Sequence, residues 1–147
     1  MEAAMLGIRS IAGGVLVASL LSCGYVARAD ERSAVADAQQ VIKRQIDAIA
    51  RGDAGVAYTL NAPDTRIRFT DAAQFLDMVR DGYKPVVSHR SVEYGGTMME
   101  GDQLAQKLTI VDNANGVWSA FYRLARQPDG HWLIEGCLLI KSSEQEV

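Results

Sequence analysis

The chain has 147 residues, with 15 Lys and Arg against 18 Asp and Glu and a net charge of −3. That length suits one domain, and because both signs are interspersed no basic stripe forms, which argues against nucleic-acid binding. The two cysteines, Cys23 and Cys137, and the two histidines, His89 and His131, stand too far apart for a Cys/His metal cluster, so neither a metal nor a cofactor is expected.

Residues 1–29 differ from the rest and read as a signal peptide. Arg9 is followed by the uncharged apolar run Ile11 to Leu21. As a helix this run spans about 16 Å, half the hydrocarbon core of a bilayer, so it suits a signal segment better than an anchor. Ala27-Arg28-Ala29 then offers small residues at the two positions a signal peptidase reads, which makes Asp30 the new N-terminus. A second route competes: Leu20-Leu21-Ser22-Cys23 resembles a lipobox, in which Cys23 would be acylated and the domain tethered to a membrane. Either route places residues 30–147 outside the cytoplasm, as in a bacterial periplasm. After cleavage at Asp30 the charge is −4, and Cys137 is the only thiol, so no internal disulfide can form.

Three helices are expected next. Val35, Ala38, Ile42, Ile46 and Ile49 recur at helical spacing over 33–51, and Gly52 suits the position just past the helix end. Asp53 can cap a short second helix through Leu60, which the Asn61-Ala62-Pro63-Asp64 segment ends. Ile67 and Phe69 alternate with Arg66 and Arg68, as in a short extended piece. Asp71 with Gln74 forms a capping-box pattern ahead of a third helix that ends at Gly82. From Val86 the period becomes two, and four antiparallel strands are expected at about 86–95, 103–112, 117–127 and 131–141. Gly95-Gly96 with Glu100-Gly101-Asp102, then Asn115-Gly116, then Pro128-Asp129-Gly130 are read as the breaks between them. Strict alternation would put Trp118, Ala120, Tyr122 and Leu124 on one face, and Trp132, Ile134, Leu138 and Ile140 on one face of the last strand. The fold class is therefore α+β, with three N-terminal helices packed on a curved four-stranded antiparallel sheet.

Local motifs carry a family resemblance. Val41-Ile42-x-x-Gln45-x-x-Ala48, Phe75-Leu76-x-Met78-Val79-x-x-Gly82-Tyr83 and Gln127-Pro128-Asp129-Gly130-x-Trp132-x-Ile134-x-Gly136-Cys137 resemble the bacterial family called domain of unknown function 4864. The helix-then-sheet order resembles the nuclear transport factor 2-like cone. The resemblance implies a pocket between helices and concave sheet, and self-association through the sheet. It implies no reaction.

A cone pocket used for acid/base chemistry needs a carboxylate or His within reach of a donor. Tyr122, Glu135 and His89 are the catalytic candidates, and each has a plainer reading. Tyr122 also reads as a core tyrosine, Glu135 as a cross-strand partner of Arg123, and His89 as a hydrogen-bonded residue near a strand start. Trp118, Tyr122 and Arg123 are the candidate ligand-binding residues. Arg66, Arg68 and Arg90 could converge on an anion, or simply flank half-exposed segments. Cys137, in an apolar strand, reads as a small hydrophobe rather than a nucleophile. The expected function is a non-enzymatic binding module for a small apolar ligand, a peptide or a second copy. A small isomerase or lyase, and a lipoprotein accessory subunit of an envelope complex, are the alternatives.

Overall fold

The computed structural model describes residues 22–142; the apolar run Ile11–Leu21 and the first two lipobox positions lie outside the described residues. Five helices, α1 (Ser22–Arg51), α2 (Ala54–Thr59), α3 (Pro63–Arg66), α4 (Ala72–Gly82) and α5 (Lys84–Val87), precede four strands, β1 (His89–Glu100), β2 (Gln103–Asp112), β3 (Val117–Arg126) and β4 (Trp132–Lys141). The strands form one antiparallel sheet in the order β1-β2-β3-β4, so the fold is α+β.

α1 lays Ala34, Ala38, Ile42, Ile46 and Ile49, all buried, along the inner face of the sheet. Its processing-site residues Ala29 and Asp30 are exposed, ahead of the first of these buried positions. The helix closes in a Schellman arrangement: Gly52, at φ 72°, donates to the Ile49 carbonyl at 3.0 Å, and Asp53 to that of Ala48 at 2.8 Å. Asp53 then accepts from the Val56 N–H at 3.2 Å and starts α2. Asp71 likewise caps α4 through the Gln74 N–H at 2.9 Å. α4 buries Phe75, Leu76 and Val79.

Two stretches expected to be extended are helical turns. Pro63, at the first position of α3, is preorganised for a helix start and has no N–H to leave unmet. Pro85 does the same within α5, so β1 begins at His89 rather than at Val86. Ile67 and Phe69 therefore do not alternate in a strand. Ile67 is 79 % exposed, while Phe69 packs edge-on against Phe75 with ring centres 5.3 Å apart.

The pairing shifts at three places: after His89, where Arg90 is the extra residue, and at two further β-bulges. Gly95-Gly96, expected as a break, instead lies inside β1, where the pairing shifts between Tyr94 and Thr97 and the two glycines oppose Lys107. The second bulge falls on β4: Arg123 pairs with Gly136 and Leu124 with Ile134, so Glu135 is the extra residue. Every later side chain is thereby inverted. Trp132 and Ile134 are buried, but beyond the bulge Cys137 and Leu139 turn to the core, while Leu138 and Ile140 are 59 % and 48 % exposed. The single face expected for Trp132, Ile134, Leu138 and Ile140 is thus split, because a one-residue insertion reverses a period of two.

Candidate functional site

The β4 bulge sits beside a cavity of about 240 Å³ between α1, α4, α5 and the concave face of the sheet. Its walls are apolar: Ile49, Phe75, Val79, Val86 and Ile134 among others. Near the solvent stand Thr65, Arg68 and Glu135, all at least partly exposed. The link between α2 and α3 is stitched to β4 at this point. The Ile134 N–H donates to the Leu60 carbonyl at 2.9 Å, the Ala62 N–H to the Ile134 carbonyl at 2.7 Å, and Thr65 Oγ1 to the Glu135 carbonyl at 2.9 Å. β4 is an edge strand, so the Ile134 N–H and carbonyl point away from β3, and the α2–α3 link takes them up. It also fixes Asn61, which is 2 % exposed and lines the cavity.

The orientation of the Asn61 amide follows from its neighbour. Gln45 Nε2 lies 3.0 Å from the Ala57 carbonyl and 2.9 Å from Asn61 Oδ1. The Ala57 carbonyl can only accept, so the Gln45 atom facing it is the NH₂ group, and the Asn61 atom facing that group is its oxygen. Asn61 Nδ2 is left buried and without an acceptor among the described residues. A buried donor with no partner costs about 1–3 kcal/mol.

Deeper in, Tyr122 and Cys137 are cross-strand neighbours whose hydroxyl and thiol interact. Burial pushes the Cys137 thiol up to about 12, a rise only partly offset by its hydrogen bond with Tyr122. Burial also raises the Tyr122 phenol well above its ordinary value, with Cys137 adding to the effect. Both groups are neutral at physiological pH, so the thiolate that nucleophilic chemistry needs is disfavoured. Tyr83, also in the wall, donates its hydroxyl to the Cys137 carbonyl at 2.9 Å.

The candidates named from sequence scatter. Tyr122 and Glu135 both line the cavity. Glu135 forms an ion pair with Arg123, Oε2 to Nε at 3.1 Å. Arg123 is on the opposite, convex face of the sheet, because strand alternation places it there between Tyr122 and Leu124. Trp118 shares the face of Tyr122 but is held elsewhere, its indole N–H donating to Asp112 Oδ2 at 2.8 Å and the Lys141 ammonium 5.7 Å above its ring. The Asp112 carboxylate also accepts from Gly116 and Ala114 N–H groups, and these bonds, led by that from Trp118, hold it below the usual carboxylate range. His89 lies with Nδ1 3.2 Å from the Pro85 carbonyl and does not line the cavity. Of the three arginines only Arg68 reaches the cavity; Arg90 binds Asn115 at the β2–β3 turn, and Arg66 lines a separate depression with Tyr58 and Phe69, its Nε buried without an acceptor among the described residues. Neither Asn61 nor Gln45 is among the residues that the sequence marks for chemistry. The available signal was Gln45, a polar residue within the apolar stripe of α1.

Among the described residues no group of three or more His, Cys, Asp or Glu could hold a metal ion, and no helix is long and apolar enough to cross a membrane. Residues 31–147 match the family model described as Domain of unknown function (DUF4864). No curated protein matches the chain.

Proposed function

The chain belongs to the DUF4864 family, whose description assigns no reaction, and from the cavity we propose that it is an exported binding module that holds a small apolar molecule between its helices and its sheet. The single observation that carries this reading is an apolar cavity of about 240 Å³ whose wall contains a buried amide donor with no acceptor among the described residues. Helices against the concave side of a curved sheet are also the arrangement of the nuclear transport factor 2-like cone, and membership of that superfamily is part of the proposal.

The chemistry of the wall favours binding over turnover. Its thiol and phenol are held neutral, its one carboxylate is paired with Arg123, and neither histidine lines it. An isomerase or lyase would need one of these groups poised to titrate near neutrality.

Export is the second part of the reading. Cleavage before Asp30 falls within the exposed stretch 27–33, which precedes the buried Ala34, and just ahead of the family match, which starts at residue 31. Lipidation at Cys23 is the alternative endpoint, and it would leave the same domain tethered to a membrane. A second mode of binding has its own observation: Phe121, Leu138 and Ile140 are exposed together on the convex face, where Phe121 and Leu138 are cross-strand partners. Self-association through that face would cover them.

Xenon under pressure tests the cavity, because it enters apolar cavities of this size without needing a polar partner. Crystals should show a xenon site against Phe75, Val79 and Ile134. A cavity that takes up no xenon contradicts the binding reading. The intact mass of the exported protein, expected to be that of residues 30–147, tests the compartment; a chain that keeps its first residues after expression in an exporting host contradicts it.

A further inference from the structure

Resting on the binding reading above, we propose that the ligand of this cavity is an apolar molecule bearing a carbonyl oxygen, and that Asn61 Nδ2 is the donor that recognises it. Three observations meet here. The cavity volume of about 240 Å³ holds roughly eight water-sized groups, taking about 30 Å³ for each, which sets the scale of the part that enters. The walls formed by Ile49, Phe75, Val79, Val86 and Ile134 take an apolar body. The Asn61 amide then sets the polar requirement, since Nδ2 can only donate and has no acceptor among the described residues.

The donor is held in place on both sides. Gln45 commits one N–H to the Ala57 carbonyl and the other to Asn61 Oδ1, so the Asn61 amide cannot flip without setting two NH₂ groups against each other. The backbone of Asn61 is bridged to Ile134 on β4. A ligand therefore meets a donor of fixed orientation, and because that nitrogen has almost no accessible surface, a small shift of the wall must bring the two into contact. No charged group lies deep in the cavity: Arg68 is exposed and Glu135 is partly exposed and paired. The acceptor that suits the buried end is thus neutral, as in a ketone, an ester or an amide, rather than a carboxylate. Selectivity follows the same logic: a hydrocarbon of equal shape fills the space but leaves the donor unmet.

The test compares acetophenone with α-methylstyrene, two planar molecules of nearly equal shape in which a C=O group is exchanged for C=CH₂. Isothermal titration of the purified full chain should give about five- to tenfold tighter binding of acetophenone, the size of one buried hydrogen bond. The two Asn61 side-chain NH₂ protons should move downfield in the ¹H–¹⁵N spectrum with the ketone only. Asn61→Asp, which keeps an oxygen facing Gln45 and removes the donor, should abolish the preference; should that variant fail to fold, the two-ligand comparison on the unaltered chain decides alone. Equal affinity for both compounds, with the Asn61 amide signals unmoved, overturns this inference while leaving an apolar binding cavity in place. Binding of neither compound in a protein that also takes up no xenon overturns both readings.

Discussion

Two buried amides on the concave side of the sheet stand next to two β-bulges, and they differ in one respect. At the β1 bulge Gln106 is fully buried, and its side chain is saturated. Its Nε2 donates to the Gly95 carbonyl at 3.0 Å and to that of Lys107 at 2.8 Å, while its Oε1 accepts from Gln39 and Thr97, both at 2.9 Å. At the β4 bulge Asn61 is equally buried, yet its amide nitrogen has no acceptor among the described residues and a cavity lies beside it. The first region is a closed polar network that fixes a distorted strand edge. In the second, the same kinds of groups are left incomplete around a hollow. A satisfied amide accounts for itself as structure, whereas an unsatisfied one beside a cavity points to a ligand.

The contrast can be broken in several ways. The largest effect is expected in alkali. Cys137 faces the hollow with its pKa pushed up to about 12 from 9.0. In the unfolded chain the thiol loses its proton near pH 9, so between pH 9 and 12 the unfolded state binds fewer protons than the folded one. Stability attributable to this group is intact below pH 9 and falls by at most about 1.4 kcal/mol per pH unit above it. Urea titrations at pH 8 to 11 should show a steeper decline for the natural protein than for Cys137→Ala; parallel declines would mean that the thiol is not desolvated.

Gln106→Leu should cost about 3 kcal/mol, because it strands several buried partners at once. Asn61→Leu should cost only about 1 kcal/mol, since Gln45 keeps its bond to Ala57. Chemical denaturation of both variants checks the order, and a reversal would undo the contrast between the regions. Packing should respond in the same way. Ala120 is fully buried on the filled side, and Ala120→Leu should destabilise by about 2 kcal/mol through overpacking. Val79 lines the hollow, where Val79→Leu adds one methylene and should gain up to about 0.8 kcal/mol, read as a rise in Tm. A loss at Val79 as large as that at Ala120 would show that the cavity has no room. The smallest effect belongs to the rim. Arg123 is 67 % exposed in its pair with Glu135, so Arg123→Ala should cost well under about 1 kcal/mol and less still in high salt.

Much of the fold was legible in the sequence, for local reasons. The α1 stripe, Gly52 past its end, Asp53 and Asp71 as caps, and the turns at Gly101, Asn115 and Gly130 all act within a few residues of themselves. What strand alternation could not give was the β4 bulge. Glu135 as the extra residue depends on pairing with β3 and on capture by Thr65 and Ala62, contacts distant in sequence. The site inherits that difficulty. Tyr122 is legible because β3 is regular there, whereas Asn61 sits in a segment that reads as a helix-ending loop. The environment of Asn61 is made by Gln45 on α1 and Ile134 on β4. Pro63 does end α2 as its sequence suggests, but it also opens the turn of α3, and Pro85 lies within another helical turn that delays β1 to His89.

The most direct measurement follows the two amides together. During a titration with acetophenone, the side-chain NH₂ signals of Asn61 and Gln106 are recorded in the same ¹H–¹⁵N spectra. Asn61 should shift progressively to saturation while Gln106 stays fixed, because only one of them has a donor to offer. Equal movement of both, or movement of Gln106 alone, would contradict the division of the concave face into a closed network and an open site.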